Sequence, residues 1–247
     1  PIITDSQIEE NKKEMSIETI RQEFFSDFDV ALQNAYFSRY LRKAEEDGRI
    51  DHFPVDESLP VYTFWDLGIS DSMSICFVQI LKNGFFRFVN YFEDNNEGIS
   101  YYINYLNDWK TKNNVIFATH FAPHDVAQRE LSTGISRIET FKRLGISFVR
   151  VDVPKNKYIN SIERTRIHFN KFQICKKNCS YLLDCLMEYH AKESKSGVIT
   201  GPEHNWASHA ADSFMLVAQA LDQNLLVKNN YRSNHIGLNQ YNIDDII

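Results

Sequence analysis

The spacing of apolar positions changes period along this chain, and each change marks an element. Phe37, Tyr40, Leu41 and Ala44 recur at i, i+3, i+4 and i+7, the stripe of a helix packed on one side, and Gly48 stands where a C′ glycine would end it. Further upstream, Thr4 and Gln7 have capping-box spacing, so residues 1–58 read as a helical lead-in whose last part, Ile50–Pro60 with Pro54 and Pro60, is a linker. From Val61 the pattern turns to sheet. Val61–Ser70 is an apolar, β-rich run, and Ser72–Ile80 and Phe85–Phe92 are two more, joined across Leu81–Gly84 where Asn83-Gly84 signals a hairpin. These three predict an antiparallel meander. Tyr102, Tyr105, Leu106 and Trp109 then mark an amphipathic helix, Val115–Ala118 a strand, Ser136–Leu144 a helix stopped near Gly145, and Ser147–Val151 another strand. Helices follow over about Tyr158–Asn170 and Ser180–His190, then a loop with Gly197, Gly201 and Pro202, then a last helix over about Trp206–Leu221. Three antiparallel strands, then alternating helix and strand, then helices, make a mixed α/β order. The domain proper spans 59–225, the Asn-rich tail of 226–247 is expected to be flexible, and no internal repeat is present.

Composition narrows the classes. With 43% hydrophobic and 13% aromatic residues in 247, there is ample material for a packed core, which excludes global disorder. A formal charge of −6 argues against indiscriminate nucleic-acid binding over the whole surface but leaves room for a local basic track. Such a track exists: between Arg150 and Lys177 eight Lys and Arg stand against only Asp152 and Glu163. Arg150, Lys155, Lys157, Arg164, Arg166 and Lys171 are its candidate phosphate contacts, of the kind that dominates DNA affinity without reading sequence; the alternative is a solvated helix face. Cys76, Cys175, Cys179 and Cys185 match no zinc spacing, and reduced thiols are expected. No apolar run reaches the roughly 20 residues of a membrane span. Neither a signal peptide nor a G-x4-G-K-[ST] phosphate loop is found, and the start at Pro1 without an initiator Met suggests an excised or processed product.

Candidate chemistry centres on carboxylates. Asp66 lies inside the first strand-like run, with Gly68 two residues on. A carboxylate in a central strand is costly without a partner, which a divalent metal would supply; at a strand end it would simply meet water. Asp125 falls just past the fourth strand, where ligands of open α/β sheets gather. The last helix carries Asn205, Ser208, His209 and Asp212 as a polar stripe and Ala211, Phe214, Met215 and Ala218 as a core face. Three carboxylates from a strand, a strand end and a late helix suit two divalent ions, Mg or Mn, that drive phosphodiester hydrolysis. Asp71, His124 and His209 are possible supporting residues.

These residues carry a family resemblance. Val61–Gly68 (V-Y-T-F-W-D-L-G), Pro123–Asp125 (P-H-D), Glu130–Glu139 (E-L-S-T-G-I-S-R-I-E), Ile162–Arg166 (I-E-R-T-R) followed by Cys179 and Tyr189, and His204–Phe214 (H-N-W-A-S-H-A-A-D-S-F) resemble the nuclease domain of the large terminase subunit of tailed bacteriophages. Upstream, Arg21–Phe28 (R-Q-E-F-F-S-D-F) is similar to the end of that subunit's motor ATPase, so the likeness covers about residues 1–222. It implies a ribonuclease H-like mixed sheet flanked by helices and two-metal cleavage of concatemeric double-stranded viral DNA during packaging, with the acidic triad on Asp66, Asp125 and Asp212. It also implies a motor ATPase domain, the small terminase subunit and the portal protein as partners, no membrane, and the cytoplasm of an infected bacterial host. The ATP-binding part is missing, and Met215 stands where the family often has a basic residue. Two other classes start from the same residues. D-L-G-I-S resembles the first phosphate loop of actin-like ATPases and sugar kinases, but the D-x-G-G loop they also need is absent. A non-catalytic portal-docking module, or a junction resolvase or transposase-type nuclease, would share the acids without the packaging role.

Overall fold

A computed structural model describes residues 35–68, 72–124, 136–153, 157–193 and 199–226. Within them, helix α1 (Ser38–Glu46) ends at Gly48, whose φ of +68° lets the Arg49 N–H turn back to the Ala44 carbonyl at 2.7 Å. Strands β1 (Ile50–Asp51), β2 (Val61–Leu67), β3 (Met73–Ile80) and β4 (Phe86–Asp94) follow, then helix α2 (Ile99–Lys112) and β5 (Phe117–Pro123). Next come α3 (Arg137–Arg143), β6 (Phe148–Val151), α4 (Lys157–His168), a short 3₁₀ turn at Phe169–Lys171 and β7 (Phe172–Cys175). Helix α5 (Ser180–Glu188), strands β8 (Ala191–Glu193) and β9 (Ile199–Pro202), and helix α6 (Ser208–Asp222) complete the order.

Seven strands form one sheet in the order β1-β7-β4-β3-β2-β5-β6. The β2–β3–β4 meander is antiparallel, as the alternation predicts, and β5, β6, β7 and β1 add in parallel on its two sides. The hairpin closes through Gly84 at φ +83°, with the Leu81 N–H donating to the Phe85 carbonyl at 2.8 Å. Three features depart from the sequence expectation. The sheet begins at Ile50, inside the expected linker, and β7 was not foreseen between the fourth and fifth helices; strands of two and four residues are too short to show a period. The expected loop around Gly201 contains the small hairpin β8–β9. The expected capping at Thr4, the tail beyond Leu226 and Gly197 lie outside the described residues.

Alternation along β2 sorts the core into two layers. Val61, Trp65 and Leu67 point to the side covered by α2 and α3; Tyr62 and Phe64 point to the side covered by α1, α4, α5 and α6. Helix α6 is buried on almost every side, with Phe214 wedged between Phe88 and Phe172 of the sheet and Phe37 before α1. The expected one-sided stripe is narrower than its actual burial because α4 and α5 close over its outer face. The four cysteines are buried and free, and burial pushes the Cys76 thiol up to about 12. Among the described residues no helix is long and apolar enough to cross a membrane.

One glutamine ties the run before β2 to the sheet. Gln79, fully buried on β3, donates Nε2 to the carbonyls of Asp56 (2.7 Å) and Leu59 (3.0 Å) and accepts the Asp56 N–H (3.0 Å). Gln79→Ala strands these backbone groups and is expected to cost about 2–4 kcal/mol. The check is a lower urea midpoint with an unchanged m-value; a midpoint equal to wild type would show that the run is held by other contacts.

Candidate active site

Asp66 follows Tyr62 and Phe64 on the α6 side of β2, so strand alternation alone aims its carboxylate at that helix. It is not left unpartnered: Oδ2 lies 2.8 Å from His209 Nδ1, with the two side chains 17% and 15% exposed. The hydrogen bond to Asp66 raises the His209 pKa against the opposing effect of burial. A second link fixes the same spot. Ser74 pairs with Asp66 across β2 and β3, and its hydroxyl donates to the His209 carbonyl at 2.8 Å. The D-L-G turn after Asp66 is clamped by Arg137, which donates to the Leu67 carbonyl at 3.3 Å and to the Gly68 carbonyl. Arg137 is held in turn by a capping box at the start of α3, in which Ser136 accepts the Glu139 N–H and Glu139 accepts the Ser136 N–H.

The start of α6 is built to present His209 and Asp212. Asn205 Oδ1 accepts the Ala207 N–H at 2.9 Å, and Ser208 Oγ accepts the Asn205 N–H at 3.0 Å while donating to the Glu203 carbonyl. Two members of the predicted polar stripe, Asn205 and Ser208, therefore shape the backbone, and the other two reach the site. Asp212 lies on the face of His209, one turn on, and lines one cleft with Asp66, Pro123, Val153 and Gln219. Gln219 donates Nε2 to Ser161 Oγ at 2.7 Å, and its Oε1 is the one buried side-chain polar atom without a hydrogen-bond partner among the described residues. The cleft thus gathers two carboxylates and an orphaned amide oxygen, a set of hard acceptors that fits a hydrated divalent cation. Among the described residues no group of three or more His, Cys, Asp or Glu is assembled for a metal. Asp125, which follows the β5 end that lines the cleft, lies outside the described residues, as do Asp71 and Lys155.

The other expected residues separate by role. His124, just past β5, accepts the Val153 N–H on Nδ1 at 3.4 Å, which joins the ends of β5 and β6. Arg150 is exposed on edge strand β6, paired with Ala122 at the cleft end of the sheet, and Lys157 opens α4. Arg164 pairs with Asp222, which His168 also contacts at 2.7 Å. Arg166 donates to the Tyr36 carbonyl at 3.0 and 3.1 Å and to Glu163 at 2.5 Å. Lys171 precedes β7, whose Phe172 pairs with Phe86 at the sheet end opposite Asp66. Met215 is buried in the core, so nothing at that position reaches a ligand. Sequence reasoning did not single out Arg137 by role, although S-x-x-E at Ser136–Glu139 is a readable capping signal. It also missed Glu93, which the β2–β3–β4 register places in line with Ser74 and Asp66.

The sheet order, the helix cover and the cleft define a ribonuclease H-like α/β protein. Comparison with solved structures shows the same fold in large terminase nuclease domains. The P22 large terminase nuclease domain matches at 14% identity with a TM-score of 0.51, covering 71% of this chain and 89% of that one. The large terminase nuclease of the thermophilic phage G20c matches at 13% identity and 0.51, covering 77% and 99%, and that nuclease is also known with magnesium and with cobalt bound. The large terminase of another thermophilic bacteriophage matches at 13% identity and 0.53; 73% of this chain covers 43% of it, so the match spans less than half of that protein. No protein-family model and no curated protein sequence matches the chain.

Proposed function

We propose that this chain is a divalent-metal-dependent endonuclease that cuts concatemeric double-stranded viral DNA during genome packaging, with little sequence preference. The observation that carries the reading is the convergence of Asp66, from mid-sheet, and Asp212, from the last helix, on one cleft in a terminase nuclease fold. Asp66, Asp125 and Asp212 would hold the two ions, Mg or Mn. When bound between such carboxylates, divalent ions activate a water and stabilise the leaving oxygen of a phosphodiester. The chain's own part is positional. His209 holds one oxygen of Asp66, Ser74 holds the His209 backbone, Arg137 holds the turn after β2, and Gln219 offers an acceptor inside the cleft. His124, His209 and Asp71 would be supporting residues rather than primary ligands.

The DNA would lie across the β6 and α4 side, with Arg150 at the cleft end and Lys171 at the far end; Lys155 and Lys157 are further candidate phosphate contacts. Residues 1–58 are read as the lead-in from a motor ATPase domain, with α1 and β1 folded into the nuclease body, and 59–225 as the nuclease. A small terminase subunit, a portal protein and the cytoplasm of the infected host complete the assignment. The test is a digestion series of unrelated linear and supercoiled DNAs with Mg or Mn, from low to physiological salt. Metal-dependent cutting of all substrates at high protein and low salt supports the reading; efficient cutting at one defined sequence by dilute protein, or cutting that persists in chelator, overturns it.

Electrostatics gives a finer expectation. Arg150→Ala should weaken binding to every DNA alike and flatten the log–log salt dependence by about one unit, the value of one lost phosphate contact. Arg166→Ala should leave that slope nearly unchanged and lower stability instead, because its guanidinium is spent on the Tyr36 carbonyl. Binding isotherms over a salt series, with thermal melts of the same proteins, separate the two. Equal slope changes in both variants would refute this division.

A further inference from the structure

We infer that Gln219 is a positioning residue for the cation of this cleft: its free amide oxygen accepts from a water of the hydration shell and so favours magnesium, which keeps its waters. The inference rests on the nuclease reading above and adds which cation the site prefers. Gln219 is 4% exposed, yet its Oε1 has no hydrogen-bond partner among the described residues. A buried amide oxygen in that state is costly unless something donates to it. The other end of the amide is fixed, because Nε2 donates to the Oγ of Ser161 on α4 at 2.7 Å, and Ser161 is itself buried. Helix α4 thus sets the orientation of the amide, and the end left over belongs to a residue that lines the cleft of the acids.

Position and chemistry select what donates to it. Gln219 follows Asp212 by seven residues, so the two stand on one face of α6, two turns apart. That is about 10 Å along the axis, and both side chains lean toward the N-terminus of the helix, which largely keeps the spacing. One octahedral ion with metal–oxygen lengths of about 2.1 Å does not bind both directly, whereas a water on that ion closes the gap. The space in the cleft is about 20 Å³, room for about one water, and a buried water needs about two to four polar partners. Asp66, Asp212 and the Gln219 oxygen supply them, because Pro123, Val153 and Leu216 of the remaining walls are apolar. All three are acceptors, and a water polarised by a cation donates to acceptors most strongly. His209 Nδ1 is spent on Asp66, so nothing in the lining favours a softer metal. Among hard cations magnesium gives up its waters reluctantly, while calcium takes more oxygens in flexible geometry. A fixed acceptor for one water therefore discriminates between them.

Thermal melts titrated with magnesium or calcium chloride read cation affinity in the full chain without any cutting. Gln219→Met fills similar space without a comparable acceptor. It should weaken magnesium binding about 10- to 100-fold, the usual cost of losing an outer partner of a metal, and calcium binding clearly less. Gln219→Glu, which restores an oxygen, should recover the wild-type magnesium affinity or exceed it. Ser161→Ala releases the amide without removing its oxygen and should give an intermediate loss; should Gln219→Met fail to fold, unchanged magnesium affinity in Ser161→Ala decides against the proposal. Unchanged magnesium affinity in a folded Gln219→Met overturns it. Equal losses for the two cations do so as well, and so does a glutamate variant as weak as the methionine one, which would make the free end of the amide a donor. Plasmid nicking by the wild-type chain with magnesium tests the nuclease reading separately. Nicking together with wild-type affinity in Gln219→Met sinks this inference alone; no nicking, with the magnesium–calcium difference intact, sinks that reading and leaves the cation preference standing.

Discussion

Asp66→Asn and Asp212→Asn are each expected to abolish nicking of supercoiled plasmid while the protein stays folded. The loss expected is larger than the 10²–10³ that removing a single stabilising hydrogen-bond donor costs in other hydrolases, because each change takes a charge from the proposed ligand set itself. Folding survives for a local reason. Asn fills the same volume as Asp, and at position 66 its side-chain oxygen still accepts from His209 Nδ1, whose backbone Ser74 continues to hold. Relief of repulsion between the carboxylates is offset at position 66 by loss of the charge that favours protonated His209, so Asp66→Asn is not expected to gain stability without metal. Circular dichroism and thermal melts establish the fold, and plasmid conversion establishes the activity. Asp125→Asn is expected to behave in the same way. Full nicking by any two of the three variants would remove the acids from the chemistry.

The second large effect is on stability, and it comes from a residue that takes no part in the proposed chemistry. His120 of β5 is enclosed by Trp65, Phe117 and Phe148, and its Nδ1 lies 2.6 Å from Thr63 Oγ1. Burial pushes its pKa down from 6.5 to about 4. The folded protein therefore holds this ring neutral at pH values where the unfolded chain already takes up a proton. The stability it allows is fully present above pH 6.5 and is lost as pH falls from there through about 4, a total of about 3 kcal/mol. Denaturant unfolding at pH 7.5, 6 and 4.5 measures the slope. His120→Asn, which cannot titrate and can still meet Thr63, should flatten it in this window. A variant with the wild-type slope would assign the acid sensitivity to other groups.

Sequence period alone determined the outline of this protein: the antiparallel meander, the turn at Gly84, the stops at Gly48 and Gly145, and a last helix carrying His209 and Asp212. Those features are local, since alternation, 3.6-residue spacing and glycine conformation are set by residues close in the chain. Asp66 could be singled out as a carboxylate in an apolar strand, but His209 could be named only as one of three possible supports, because it is 143 residues away and only packing of α6 on β2 unites them. Distance in sequence likewise hid Arg137 on the Gly68 carbonyl and Glu93 in line with Asp66. The basic run shows the limit most clearly. Counting charges between Arg150 and Lys177 treats its members alike, whereas the fold spends Arg166 on the Tyr36 carbonyl and Arg164 on Asp222 and leaves Arg150 exposed at the cleft end. Short strands β1 and β7 were invisible for the opposite reason: two and four residues hold too little pattern, and they become strands only because β4 offers its open edge to β7 and β7 offers its own to β1.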